Sequence, residues 1–166
     1  MSIFKSILKG AGKMALEAAS QSVSNAKNNM YQQASKSDVK IGGYTIMEWD
    51  SQWRYAGILS SLNLTPYNKY VGLYKATLGG KVVYIGKATE WNNGGFRKRL
   101  SDYTRESTSA RKHGSGQKMH LHRNELNIEF LIVGSNASAA EFTPKLEALM
   151  IGKYNPEWNK VKNFNL

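Results

Sequence analysis

Apolar residues at the start of the chain recur with the spacing of an amphipathic helix. They are Ile3, Phe4, Ile7, Leu8, Ala11, Met14, Ala15 and Ala18, while Lys5, Lys9 and Lys13 line another face. Residues 20–37 are rich in Ser, Asn, Gln and Ala, which predicts a weak helix or a flexible tether. We therefore expect residues 1–40 to form a basic amphipathic helix and a polar tether. The helix is expected to pack on its own domain or on a partner, with membrane contact as the alternative.

Residues 41–69 have a mixed pattern that we interpret as an N-terminal extension of the core. Gly42-Gly43 interrupts the chain, and residues 44–47 are predicted to form a short strand. Residues 51–62 are predicted to be helical, with Trp53, Ala56 and Ile58 facing a core. Pro66 is expected to end that segment.

The remaining chain alternates between strand and helix patterns. Two β-rich runs, 70–78 and 81–86, flank Gly79-Gly80, which is a strong hairpin signal. A helix over 96–105, a buried strand over 127–133 and a helix ending near residue 154 follow. This order predicts an α/β fold with a small mixed or antiparallel three-stranded sheet flanked by helices, plus the N-terminal helical extension.

Two signals suggest different starts for the last helix. Ser138 and Glu141 have the spacing of a capping box. Pro144 is expected in the first turn of the main helix, with Thr143 as its cap. Pro156 is expected to stop the helix.

Composition narrows the class of protein. The chain has 166 residues, with 23 Lys and Arg against 12 Asp and Glu, for a net charge of +11, so we expect a polyanionic partner. It has no cysteine, which excludes disulfides and thiolate metal sites and favours an intracellular, cytoplasmic location. Delivery as a secreted effector stays open. No apolar run approaches about 18 residues, so stable membrane insertion is not expected.

Positive charge concentrates between residues 96 and 123. This window contains eight basic residues and two acidic ones, Asp102 and Glu106, so it carries +6 of the net charge of +11. Residues 107–116 are polar and glycine-rich, which predicts an exposed loop beside a basic helix. Such a surface is suited to phosphate contacts. The candidate nucleic-acid-binding residues are Arg97, Lys98, Arg105, Arg111, Lys112, Lys118 and Arg123.

Common nucleotide-binding and metal-binding motifs are missing from the sequence. It contains no phosphate-binding glycine loop of the Walker type, no dinucleotide fingerprint and no His-Glu-x-x-His helix. The chain also offers no cluster of carboxylates of the kind that two-metal nucleases use.

Paired tripeptides on the hairpin nevertheless carry a specific resemblance. Gly72-Leu73-Tyr74 and Tyr84-Ile85-Gly86 resemble the two motifs that give the GIY-YIG nuclease superfamily its name. Further matches extend the resemblance over residues 70–162. They are Lys87 after the second motif, Arg99 and Tyr103 on the following helix, Glu147 on the last helix, and Asn159 after it.

The resemblance implies that residues 70–166 form a GIY-YIG nuclease domain that hydrolyses DNA phosphodiester bonds. Its implied catalytic residues are Tyr74, Tyr84, Lys87, Arg99, Tyr103, Glu147 and Asn159. Glu147 is the implied ligand of one Mg²⁺ or Mn²⁺ ion, and a single carboxylate suits a largely hydrated ion of this kind. Arg99 would stabilise phosphoryl charge. A tyrosine would act as general base, with Lys87 as a neighbouring cation that favours the phenolate.

Several alternatives stay open at this point. Either Tyr74 or Tyr84 is the base, and Asn159 is expected to orient Glu147 or a water. DNA is the expected substrate, with the double-stranded form favoured. The N-terminal helix is a candidate surface for a homodimer or a partner protein. A basic protein that binds nucleic acid, or serves a structural role, without cleaving it is the alternative function.

Strand register supplies a geometric condition for a shared tyrosine site. A strict two-residue turn at Gly79-Gly80 places Tyr74 and Tyr84 on opposite faces of the hairpin, because side chains alternate along a strand. A three-residue loop, pairing Leu78 with Val82, or a bulge brings them to one face. We therefore predict an odd-length loop or a bulge.

Overall fold

A four-stranded antiparallel sheet forms the centre of the molecule. The computed structural model describes residues 2–36, 38, 40–105 and 114–159. The strands are β1 (Arg54–Ile58), β2 (Val71–Leu78), β3 (Lys81–Ala88) and β4 (Asn127–Gly134), in the spatial order β1-β4-β2-β3. Every neighbouring pair is antiparallel. The α/β class is as expected, but the prediction of three strands is wrong.

The extra strand, β1, replaces the helix predicted over residues 51–62. Arg54–Ile58 pairs with β4, and a bulge lies between Tyr55 and Gly57. Tyr55 is exposed and Ala56 is half-buried, so the segment covers the sheet edge instead of presenting a helical apolar stripe. Pairing with the exposed edge of β4 is a tertiary contact that outweighs the weak local helical pattern.

A capping interaction explains why residues 44–47 do not form the predicted strand. Helix α2 (Ile46–Asp50) begins there, and the Thr45 hydroxyl accepts a hydrogen bond from the Glu48 backbone N–H. The Glu48 carboxylate in turn accepts from the Thr45 N–H at 2.7 Å. This reciprocal capping box stabilises the first turn of a helix.

Helix α1 (Ser2–Ser35) is continuous through the region predicted as a tether. Near its C-terminal end, Tyr31 is buried against the same core as the last helix, α5 (Ala137–Tyr154). Close backbone approach is possible because Gly152 has no side chain: a Cβ there would lie 2.1 Å from the Lys27 carbonyl oxygen. This packing orders a sequence of weak intrinsic helicity.

Packing of α1 on α5 fits the expectation that the helix packs on its own domain. A homodimer or partner protein on α1 stays a prediction. Among the helices of the described residues, none has the length and apolar character needed to span a bilayer.

The helices cover the two faces of the sheet. On one face lie α3 (Gly95–Thr104) and α4 (Gly114–Leu121), which pack on Tyr74, Ala76 and Phe130. We call this the α3 face. On the other lie α1, α2 and α5, which pack on Leu73, Ile85 and Leu131. We call this the α5 face.

Two helix predictions need correction. Residues 114–116, predicted as an exposed loop, begin α4, which buries Gly116 and Met119; residues 107–113 of that loop lie outside the described part. Helix α5 begins at Ala137, so Pro144 lies inside it, not in the first turn. Asn136 is its cap, accepting from the Ala139 N–H at 2.9 Å.

Several expectations are confirmed. The hairpin of β2 and β3 forms around Gly79-Gly80, and the helix predicted over 96–105 is α3. Helix α5 ends at Tyr154, just before Pro156. Asn155 follows in the left-handed conformation, with φ of 43°, and closes the helix.

Candidate functional site

A bulge in the β2–β3 hairpin brings the two motif tyrosines to one face. Leu78 pairs with Lys81 across a two-residue turn, so of the two predicted alternatives, an odd-length loop or a bulge, the odd-length loop is not present. The register then shifts, so that Ala76 pairs with Tyr84 and Tyr74 with Gly86. The extra residue reverses the parity of β3 beyond the turn, and the predicted bulge is confirmed. The rings of Tyr74 and Tyr84 lie 6.0 Å apart between centroids.

Motif glycines make room for this arrangement. A Cβ on Gly86 would lie 2.4 Å from the Tyr74 hydroxyl, so the phenol ring rests directly on the backbone of the edge strand. Gly72 has φ of +152°, and a Cβ there would lie 2.1 Å from the Leu131 carbonyl oxygen. Glycine at both positions is therefore required by packing.

Tyr103 completes a cluster of three phenols on the α3 face. Its hydroxyl lies 2.8 Å from that of Tyr74, and the two rings are 6.2 Å apart between centroids. Helix α3 carries Phe96 and Leu100 into the core on the same side, which fixes the direction of Tyr103. The sequence-predicted residues Tyr74, Tyr84 and Tyr103 thus lie together.

Burial keeps two of these phenols protonated. It raises the pKa of Tyr74 well above its ordinary value, and the neighbouring Tyr103 and Tyr84 raise it further. Burial likewise raises the pKa of Tyr103. Tyr74 is fully buried, whereas Tyr84 is half-buried and lines a cavity of about 370 Å³ with Lys118 and Trp158. Tyr84 is therefore the more accessible of the two candidate bases.

Arg99 lies beside the phenol cluster, as the i, i+4 relation to Tyr103 predicts. Its positive charge lowers the pKa values of Tyr74 and Tyr103, although burial outweighs this effect at both. Its side chain is 41% exposed, and its buried Nε has no hydrogen-bond partner within the described structure. The arginine thus retains one unused donor beside the phenols.

Glu90 is a site residue that the sequence reasoning missed. Its Oε1 accepts from Arg99 Nη2 at 2.9 Å, and its Oε2 accepts from the Thr89 N–H at 3.2 Å. Glu90 is the only acidic residue between Lys87 and Arg99, and this signal was available in the sequence. The ion pair holds the guanidinium near the end of β3.

Lys87 and Glu147 form an ion pair on the opposite face of the sheet. Lys87 pairs across the hairpin with Leu73, which belongs to the core of the α5 face. Because side chains alternate along β3, the strand turns Lys87 away from Tyr84 and Gly86. The expectation that Lys87 neighbours the catalytic tyrosine is therefore wrong in this arrangement.

Glu147 is the residue to test for a metal ion. Its side chain is 17% exposed on α5, and Lys87 supplies the positive partner that a buried carboxylate needs. Within the described residues, no three His, Asp or Glu side chains are grouped as a metal site. One accessible carboxylate fits a largely hydrated Mg²⁺ or Mn²⁺, which would replace or share the contact with Lys87.

Asn159 holds the edge strand, not the carboxylate as predicted. Its Oδ1 accepts from the Ile85 N–H at 2.8 Å, and its Nδ2 donates to the Ile85 carbonyl at 2.7 Å. The amide thereby satisfies both backbone groups of one residue on β3, which is an edge strand. Asn159 stabilises the strand that carries Tyr84 and Lys87.

The predicted nucleic-acid-binding residues divide into three groups. Arg97 and Lys98 are exposed on α3, Arg105 is exposed directly after it, and Lys118 is exposed on α4. Arg123 is half-buried and donates to the His120 carbonyl at 2.8 Å, so its side chain braces the end of α4. Arg111 and Lys112 lie outside the described residues.

Comparisons with known proteins add no relative. No protein-family model and no curated protein matches this chain by sequence. No solved structure matches it either.

Proposed function

We propose that this chain is a metal-dependent endonuclease of the GIY-YIG type that hydrolyses DNA phosphodiester bonds. The observation that carries the proposal is the convergence of Tyr74, Tyr84, Tyr103 and Arg99 on one face of the sheet. Both tyrosine motifs, their glycines and the arginine helix serve this single arrangement. The exposed cations of α3 lie on the same helix as Arg99 and offer phosphate contacts.

The proposed roles follow from burial and charge. Arg99 binds the scissile phosphate with donors that Glu90 now occupies in part, and stabilises negative charge on the phosphoryl oxygens. Tyr84, half-buried beside a cavity, acts as the phenolate: it takes a proton from the attacking water and becomes the neutral phenol, while the resulting hydroxide attacks the phosphorus. Tyr74 stays protonated and, with Tyr103, supplies neutral hydroxyls that position the water or a phosphate oxygen.

Glu147 would hold one Mg²⁺ or Mn²⁺ ion, whose chemistry is to polarise the phosphate and favour departure of the leaving oxygen. Lys87 supplies the positive partner of Glu147 before the ion binds. The cluster and the ion pair lie on opposite faces of β3, and both are near its end at residues 84–88. A DNA backbone passing the end of this strand, beyond the Ile85 groups that Asn159 occupies, would contact both.

The direct test is cleavage of plasmid, single-stranded DNA and RNA with Mg²⁺ or with EDTA. Arg99→Ala and Glu147→Gln should each lower cleavage of plasmid at least about a hundredfold, as removal of a group that stabilises transition-state charge does. Arg54→Ala and Glu141→Gln are matched controls, because both residues are exposed and lie outside the site. The controls should cleave at the wild-type rate.

Two results would contradict the proposal. One is cleavage by Arg99→Ala or Glu147→Gln at a rate near that of the controls. The other is cleavage that persists in EDTA. Circular dichroism and thermal unfolding should accompany each variant, so that a loss of activity is separated from a loss of folding.

A second candidate is a protein that binds nucleic acid without cleaving it. The observation that favours it is internal pairing: Glu90 occupies Arg99, and Glu147 occupies Lys87. A binding protein would retain DNA affinity that falls as salt rises, and would cut none of the three substrates in Mg²⁺ or Mn²⁺. The same set of incubations, read with a filter-binding assay, separates the two functions.

A further inference from the structure

A surface cavity lies outside the tyrosine cluster. It has a volume of about 780 Å³, in the range typical of small-molecule sites. Its lining joins three loops: the one before β2, the one between β3 and α3, and the one after β4. The lining residues that matter for binding are Asn68, Lys69, Tyr70, Trp91, Asn92 and Arg97.

Backbone hydrogen bonds hold the walls of this cavity in place. The Phe96 N–H donates to the Tyr70 carbonyl at 3.1 Å, which joins the start of α3 to the segment before β2. The Asn93 and Gly95 N–H groups donate to the Glu90 carbonyl at 3.0 Å and 2.9 Å. The turn that carries Trp91 is therefore braced from both sides before any ligand arrives.

Two aromatic side chains of the lining face solvent. Tyr70 is 40% exposed and Trp91 is 39% exposed, although large aromatic rings gain from burial. Lys69 and Arg97 supply positive charge, and the asparagines supply amide donors and acceptors. Among the described residues that line this cavity there is no carboxylate. Aromatic faces with nearby cations and no negative charge suit a planar base joined to a phosphate.

We propose that this cavity binds an unpaired nucleotide, with the base on Tyr70 and Trp91 and the phosphate on Lys69 and Arg97. The cavity adjoins the proposed site, because Glu90, which holds Arg99, directly precedes Trp91. Arg97 also lines a second cavity that runs along α3 past Lys98 to Arg105. As a substrate preference, the inference rests on the proposed function: it assigns the enzyme DNA with an unpaired base near the cut.

Binding in EDTA tests the cavity separately from cleavage. Fluorescence anisotropy of the full chain should be measured with a labelled single-stranded oligonucleotide and with a blunt duplex of the same sequence. Trp91→Ala and Tyr70→Ala should each weaken single-strand binding by about tenfold, as loss of a stacked base does, and change duplex binding less than about twofold. Trp91→Phe keeps an aromatic face and should retain most of the affinity.

Tyr55→Ala is the matched control, because Tyr55 is an exposed aromatic residue on the far edge strand β1. It should bind both probes as the wild type does. An oligonucleotide with an abasic spacer at each position in turn should lose affinity at the position whose base enters the cavity. Equal affinity for both probes, with no effect of Trp91→Ala on either, overturns the proposal.

One further arm identifies the source of the nucleotide. Unlabelled oligonucleotide and free dAMP compete with the labelled strand at equal nucleotide concentration. If only the unlabelled strand competes, the cavity binds a nucleotide of a DNA strand, which supports a substrate role. If dAMP competes at that concentration, the cavity binds a free nucleotide, and the proposal of a strand is overturned. If Trp91-dependent binding persists but no substrate is cleaved, the cavity assignment stands and the nuclease proposal fails.

Discussion

The two faces of the sheet treat their polar groups differently. On the α5 face, three buried or half-buried cations each contact a carboxylate: Lys75 with Glu129, Lys87 with Glu147, and Lys153 with Asp50. On the α3 face, the phenols of Tyr74 and Tyr103 hydrogen-bond to each other, and Arg99 pairs with Glu90 while its Nε has no partner among the described residues.

The difference lies in the kind of group: the α5 face holds several ion pairs, whereas the α3 face holds a cluster of hydroxyls beside one partly exposed arginine. Lys75 is packed over Trp53 and Tyr154, with its Nζ 4.7 Å and 5.0 Å from the ring centroids, and 3.0 Å from Glu129. The Lys75 ammonium is therefore fully occupied by contacts within the protein. The α3 face instead holds neutral hydroxyls beside Arg99, whose side chain is 41% exposed, on a helix with exposed cations. That asymmetry makes the α3 face the better place for phosphate chemistry.

The largest effect that tests this comparison is expected at Lys75. Lys75→Met should lower the free energy of unfolding by about 3 kcal/mol, because it leaves Glu129 without its partner on a mostly buried face. Urea unfolding followed by tryptophan fluorescence measures the change. Lys81→Met, at an exposed position on β3, is the control and should change stability by less than about 0.5 kcal/mol. If Lys75→Met lowers the free energy of unfolding no more than Lys81→Met does, the ion pairs of the α5 face do not stabilise the fold and the comparison between the faces fails.

An intermediate effect is expected from the buried phenols at high pH. Since burial raises the folded-state pKa values of Tyr74 and Tyr103, their contribution to stability is complete below pH 10 and is lost as pH rises above it. Above pH 10, each of these two tyrosines should lower the free energy of unfolding by about 1.4 kcal/mol per pH unit, because a tyrosine ionises at lower pH in the unfolded chain than in the folded one.

Phenylalanine variants compare the faces in the same titration. Burial and then Asp50 also raise the pKa of Tyr154 on the α5 face. Urea unfolding between pH 9 and pH 11.5 should show that Tyr74→Phe with Tyr103→Phe removes twice the slope that Tyr154→Phe removes. Tyr55→Phe, at an exposed position, should leave the slope unchanged. Equal slopes for all variants would show that the phenols of the α3 face are not buried as described.

The smallest effect on stability is expected at the Lys87–Glu147 pair. The Lys87 side chain is 38% exposed, so solvent screens the pair, and Lys87→Met should lower the free energy of unfolding by less than about 1 kcal/mol. The same variant should reduce cleavage if Lys87 serves the proposed site. Thermal unfolding and plasmid cleavage of one preparation measure both quantities. A large loss of stability with full cleavage would show that the Lys87–Glu147 pair stabilises the fold, as the other ion pairs of the α5 face do, and that Lys87 does not serve the proposed site.

Local pattern was sufficient for much of the fold. The hairpin, α3, β4 and the end of α5 follow from turn residues, apolar periodicity and Pro156. It failed for β1 and α4, because Tyr55 and Met119 contact residues that lie far from them in the sequence. The polar segment of α1 failed for the same reason: its C-terminal end is stabilised by α5, which begins about a hundred residues later.

The candidate site shows the same division. The motifs pointed to Tyr74, Tyr84, Arg99 and Tyr103, and the structure brings these residues together. Glu90 and the partners of Lys87 and Asn159 were missed or misassigned, because each contact joins segments whose relative positions only the folded structure defines. A tripeptide motif does not report the strand order or the position of the helices.

The sequence by itself determined the chemistry available to this protein: paired tyrosine motifs, a basic helix with Arg99, one matching Glu147 and a strong positive charge. It also required that a bulge or an odd loop unite the tyrosines, since side-chain alternation along a strand leaves no other route. Only the tertiary structure decided which groups meet. Burial keeps Tyr74 protonated, and helix α5 brings Glu147 to Lys87, because both effects depend on what packs against the strands.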